Sequence, residues 1–225
     1  MPLPSTSSLN YGYAVSAEQR NRVLRNTYWL LALSLVPTVL GAWLGVATGM
    51  TAALHGGLGI LVFLGGAFGF MFAIEKTKNS SAGVAVLLAF TFFMGLMLSR
   101  LIGAVLGFSN GAELIMIAFG GTAAVFFAMA SLSTVIKRDL SGMGKWLFVG
   151  AIMLLAAGVI NIFVQSTAAM LALSVAAIGI FSAFMLYDLK RIVDGGETNY
   201  ISATLALYLD CLLYTSDAAD EEDSV

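Results

Sequence analysis

The sequence predicts an all-α, polytopic membrane protein built as a seven-transmembrane-helix bundle. Three observations predict it. The chain has 225 residues, of which 59% are hydrophobic and 11% charged, with a mean hydropathy of +0.91. Soluble domains average about 45–50% apolar and about 25% charged residues, so this chain has too little charge to coat a soluble globule. Apolar stretches recur along it, most of about 17–25 residues, the length that crosses a bilayer core of about 30 Å. Three prolines and no period-two alternation argue against a β protein, while 24 glycines suit membrane helices, where small residues let backbones approach.

Residues 1–26 form a polar N-terminal tail. It lacks the apolar core of a signal peptide. Within it, Ser16 followed by Gln19 reads as a capping box that starts a helix leading into the first span. The membrane domain covers residues 27–214. Its spans are expected near 27–46 (with a kink at Pro37), 56–74, 82–106, 112–136, 146–164 and 167–187. Backbone groups inside lipid must be satisfied within each segment, so these are helices. A seventh run, ISATLALYLDCLLY, starts near Tyr200 and loses its apolar character after Tyr214. Some 15 residues are short for a span. The ending LLYTSDAADEEDSV changes composition abruptly, and residues 215–225 read as a non-native acidic tail on an incomplete seventh helix.

The charge balance follows from that tail. The formal charge is −2, yet five of the 13 acids (Asp217, Asp220, Glu221, Glu222 and Asp223) lie in the last nine residues, and without them the charge is +3. Ten of the eleven Lys and Arg residues fall on one side of the expected topology, and only Arg100 falls on the other. An excess of Lys and Arg marks the cytoplasmic side, which places the N-terminus in the cytoplasm and, after seven spans, the C-terminus outside.

Several functions are excluded by what is missing. One cysteine, Cys211, rules out an intrachain disulfide, and one histidine, His55, rules out histidine-cluster metal sites. No basic stripe supports nucleic-acid binding. No span carries a lysine for a retinal Schiff base, no glycine loop with lysine cradles phosphate, and no histidine at depth activates a serine. The expectation is a protein that is not an enzyme and has no cofactor and no bound metal. Gly65 and Gly69, and Gly120 with Gly121, are expected as helix-packing surfaces, and Asn161 as a hydrogen-bonding bridge between helices.

An ionisable residue inside a span costs about 2.5–3.5 kcal/mol on insertion scales, which makes it a functional candidate by default. Asp210 lies about ten residues into the seventh run, near mid-membrane. Asp188 closes the sixth span in the same half, and by itself reads equally well as an interfacial charge at a helix end. The intervening LKRIVDGGETNY is short enough to make helices six and seven neighbours, so the two carboxylates can meet. Carboxylates in contact share a proton more readily than both ionise, and they titrate as a unit. A shared proton would hold the two helices together, and its loss would push them apart and attract cations.

The residues also carry a resemblance. VLRNTYWLLALSL (23–35), FGGTAAVFF (119–127), KRDLSGMGKWL (137–147), GVINIF (158–163), LYDLKRIVDGGETNYI (186–201) and LALYLD (205–210), in this order and spacing, resemble the Bax inhibitor-1 family of transmembrane Bax-inhibitor-motif proteins, and within it the YccA-like bacterial branch. The resemblance implies seven helices with the last central to the other six, and a bacterial inner-membrane location. It implies a pH-sensitive calcium-leak channel whose sensor is an aspartate pair, at the positions of Asp188 and Asp210. In some members a basic residue at the end of helix two partners the pair. The corresponding stretch here reads AIEKTKNS, where Lys76 and Lys78 stand in. The branch also implies a partnership, as substrate and modulator, with a membrane-anchored ATP-dependent protease, for which the polar N-tail is suited. Ca²⁺ flux gated by the pair is the first expectation, and protease regulation without a channel is the alternative.

Overall fold

The computed structural model describes residues 16–53 and 56–222, and every regular element among them is helical. Seven α-helices follow in order: α1 Ala17–Thr48, α2 Gly56–Thr77, α3 Ser81–Val105, α4 Gly111–Val135, α5 Met143–Val164, α6 Thr167–Val193 and α7 Tyr200–Glu222. A single 3-10 turn, Met50–Ala53, follows α1. Among the described residues, the helices from α1 to α6 are long and apolar enough to cross a membrane, and α7 is not among them. This is a polytopic helical membrane bundle, with its span positions close to those read from the sequence.

Local chemistry sets the helix ends. The Ser16 hydroxyl accepts from the Gln19 backbone N–H at 3.2 Å, so α1 starts at the expected cap and continues unbroken through Pro37. It stops where Gly49 adopts φ +63°, a conformation that glycine enters without a Cβ penalty. Asn161 on α5 links to the start of α6, but only locally: its side-chain oxygen accepts from the N–H of Ser166, the α6 N-cap, at 3.2 Å and closes the α5–α6 turn. The seventh helix does not end near Tyr214. It runs to Glu222, because residues 215–222 contain no glycine or proline, and a backbone ladder forms irrespective of side-chain polarity.

The packing differs from the glycine expectation. No atom outside the local helix lies within 4 Å of where a Cβ would sit on Gly65, Gly69, Gly120 or Gly121. The close approach is between α1 and α3. A Cβ on Gly41 would stand 2.2 Å from the Phe92 carbonyl oxygen, one on Gly95 2.0 Å from that of Thr38, and one on Gly45 2.3 Å from the Ser99 hydroxyl. The expected glycine pairs face outward, whereas Gly41, Gly45 and Gly95 bring the two backbones together. Thr51 and Ser99 hydrogen-bond beside this seam at 3.0 Å.

α7 contacts α1, α2, α3, α4 and α6, whereas α5 packs on α6 alone among the described residues. The core accordingly gathers around α7. Leu87 and Phe90 from α3, Met185 and Leu189 from α6, and Leu207 and Tyr208 from α7 are almost wholly enclosed.

Candidate functional site

The site is built on the α6–α7 turn and the first half of α7. The turn doubles back at Gly195, whose φ of +81° favours glycine, and the Gly196 N–H donates to the Arg191 carbonyl at 2.8 Å. Asn199 then caps α7. Its side-chain oxygen accepts from the N–H groups of Ile201 at 2.9 Å and Ser202 at 3.2 Å. Its amide nitrogen donates to the Lys78 carbonyl and the Asn79 side-chain oxygen, both at 3.0 Å. One side chain therefore starts α7 and pins that start to the α2–α3 turn.

Two parallel stripes on α7 face inward at coiled-coil spacing. Ala203, Leu207, Asp210 and Tyr214 form one, and Thr204, Tyr208, Cys211 and Thr215 form the other. All are buried except Cys211, which is partly so. The second stripe carries the hydroxyls. Thr204 donates to the Thr27 carbonyl at 3.4 Å, Tyr208 bonds the Thr38 hydroxyl at 2.9 Å and donates to the Thr91 carbonyl at 3.4 Å, and Thr215 bonds Thr122 at 2.7 Å. These partners belong to α1, α3 and α4. In the first stripe, Asp210 turns toward α6.

There it meets Asp188, and the two carboxyl groups come within hydrogen-bonding reach of each other. Asp210 is 7% exposed, and Asp188 is half-buried. Asp210 lies ten residues along α7, about 15 Å from its start. Its Oδ2 is buried without a hydrogen-bond partner, an uncommon state for a polar atom and one that calls for an explanation.

The two lysines are held elsewhere. Lys78 pairs with Glu75 at 2.5 Å, and Lys76 lies 5.4 Å from the centre of the Phe72 ring. The cation whose field reaches Asp188 is Arg191, one turn along α6, with Glu197 the acid acting alongside it. Arg191 pairs with Glu197 at 3.3 Å, and Lys190 pairs with Asp194 at 2.6 Å. The sequence reading missed Arg191 because it sought a basic residue on helix two. The spacing of three from Asp188 on one helix was the available signal.

Two carboxylates offer a cation an attractive point but not the roughly six to eight oxygens that enclose a resident Ca²⁺. Among the described residues, no three His, Cys, Asp or Glu side chains come together as a metal cage. The arrangement can hold one proton between two helices, or attract a passing cation when that proton leaves. His55 lies outside the described residues.

The architecture is that of a polytopic helical membrane protein. The chain belongs to the family described as "Inhibitor of apoptosis-promoting Bax1", which matches residues 20–213. It is 40% identical over 200 residues to an uncharacterized membrane protein of Vibrio cholerae, covering 88% of this chain and 87% of the relative. It is 38% identical over 189 residues to the protein named Modulator of FtsH protease YccA from Escherichia coli K12, covering 84% of each. An uncharacterized protein of Neisseria meningitidis serogroup A is 34% identical over 202 residues, covering 88% of this chain and 89% of the relative.

Proposed function

We propose that this protein regulates a membrane-anchored ATP-dependent protease of the FtsH kind, as a bound modulator and substrate. The observation that carries the reading is the 38% identity, over 84% of both chains, to the relative named for that activity. The charge asymmetry of the sequence supports an inner-membrane orientation with the N-terminal residues in the cytoplasm, where such a protease would grip them. Deleting residues 2–15 should lengthen the protein's half-life in pulse-chase and change the turnover of the protease's other membrane substrates. Unchanged half-life and unchanged turnover would overturn the reading.

A second reading rests on a different observation, the buried Asp188–Asp210 pair. We infer a proton-sensitive latch between α6 and α7 that gates a cation leak, with Ca²⁺ as the expected ion. A proton shared between the carboxyls holds α7 against α6, and its loss places two like charges side by side in a poorly solvated site. Arg191, Glu197 and Cys211 are the other titratable groups that act on or beside the pair. In proteoliposomes, Ca²⁺ flux should depend on pH, and Asp210→Asn should remove that dependence. An identical flux–pH profile in the variant would sink the latch without touching the protease reading.

A further inference from the structure

We infer that the crevice between α1 and α4 binds the acyl chain of a bilayer phospholipid. Both helices pack on α7, but their backbones do not approach each other. The gap leaves a cavity of about 440 Å³ floored by Tyr208, Cys211 and Leu212 of α7. Its walls are almost entirely apolar, with Leu31 and Leu35 from α1 facing Phe119 and Phe126 from α4. Tyr28 and Phe126 meet edge to face, with ring centroids 6.0 Å apart, and bridge the mouth at the end nearer the start of α1.

The chemistry of the walls selects the guest. Water in a cavity needs about two to four polar partners. Here the hydroxyls at the back engage each other, Thr38 with Tyr208 at 2.9 Å and Thr122 with Thr215 at 2.7 Å. The rim residues Leu35 and Phe127 are 48% and 69% exposed, on helices long and apolar enough to cross a membrane. The medium at the mouth is therefore hydrocarbon, and a lipid tail enters with no polar group to desolvate. The size falls within the range of about 300–1,000 Å³ usual for small-molecule sites. A chain seated there lies against Tyr208 and Cys211, the residues two before and one after Asp210. It fills the space between α1 and α4, and so braces the helix that carries the buried carboxylate.

The full chain can be reconstituted in phosphatidylcholine vesicles in which a fraction of the lipid carries a diazirine on one acyl chain, then irradiated and mapped by mass spectrometry. Adducts are expected on residues 208–215 of α7 as well as on the outward faces of α5. Ala123→Trp and, separately, Ala32→Trp fill the crevice and should lower the α7 adducts at least five-fold, with α5 labelling unchanged as the measure of a folded bundle. Label on α5 with none on α7 in the unchanged chain would overturn the proposal. So would α7 labelling that neither tryptophan reduces, or labelling of α7 by a free diazirine fatty acid but not by the phospholipid.

Discussion

α5 and α7 show opposite solutions to life in a bilayer. α5 is the most apolar of the candidate spans, yet it touches only α6, and Leu147 is its one buried residue among those described. α7 is not among the candidate spans found in the described residues and carries threonines, tyrosines and an aspartate, yet it contacts five helices and buries Leu207, Tyr208 and Asp210. In water the more apolar helix would go inside. In lipid the tails outside are as apolar as leucine, so association follows from close packing and hydrogen bonds instead. The helix carrying threonines, a tyrosine and an aspartate is the one that gains from protein neighbours.

That contrast can be broken by substitutions that separate the interior from the perimeter. The largest effect is expected at the α1–α3 seam. Gly95→Leu forces a side chain into the Thr38 carbonyl, 2.0 Å from the first added carbon, and should cost more than about 3 kcal/mol, seen as loss of folded protein in detergent. Gly65→Leu, in open space on α2, should stay within about 0.5 kcal/mol. Equal melting temperatures for the two would refute the packing account.

Next comes the direct comparison of α7 with α5. Leu207→Ala empties a fully buried position, and about 2–3 kcal/mol is expected, chiefly from the cavity and lost contacts. Leu155→Ala, 71% exposed to lipid on α5, should shift stability by less than about 0.5 kcal/mol. Thermal unfolding of the two variants side by side checks the order, and a larger loss at Leu155 would reverse the lesson.

A smaller effect belongs to the start of α7. Asn199→Ala removes the cap and the clip to Lys78 and Asn79, and should cost about 1 kcal/mol. Hydrogen exchange should rise first in the opening turn of α7 while that of α5 stays unchanged. Uniform exchange along both helices would contradict a local cap.

The smallest effect is at the α4–α5 connection, outside the spans. Asp139 accepts from the Ser141 N–H at 2.8 Å, and that bond holds its carboxyl below the usual carboxylate range. Its contribution is complete above the unfolded carboxylate pKa and is lost as pH falls through the lowered folded value. Asp139→Asn should therefore flatten a slight acid-side slope in melting temperature and leave neutral pH almost unchanged. A slope that survives the substitution would assign it to another group.

The amino-acid sequence by itself determined the positions of the six apolar spans, because length, apolarity and caps such as Ser16 act locally. It also singled out Asp188 and Asp210, since a carboxylate at depth costs enough to stand out in a chain with so few charges. Other features were legible only in part. The Gly65 and Gly69 pattern resembles a packing motif but faces outward, and the helix that begins at Tyr200 outlasts its apolar run. The central place of α7 was implied only by the family resemblance, not by its composition, and tertiary structure decided which helices enclose it and that α5 is peripheral. It also decided that Gly41, Gly45 and Gly95 do the packing, and that Lys78 pairs with Glu75 while Arg191 pairs with Glu197 one turn beyond Asp188. The physical reason is the solvent. In water an apolar stripe marks the inward face of a helix, but in lipid both faces are apolar, so which face meets which neighbour is settled only when backbones approach and polar side chains find partners.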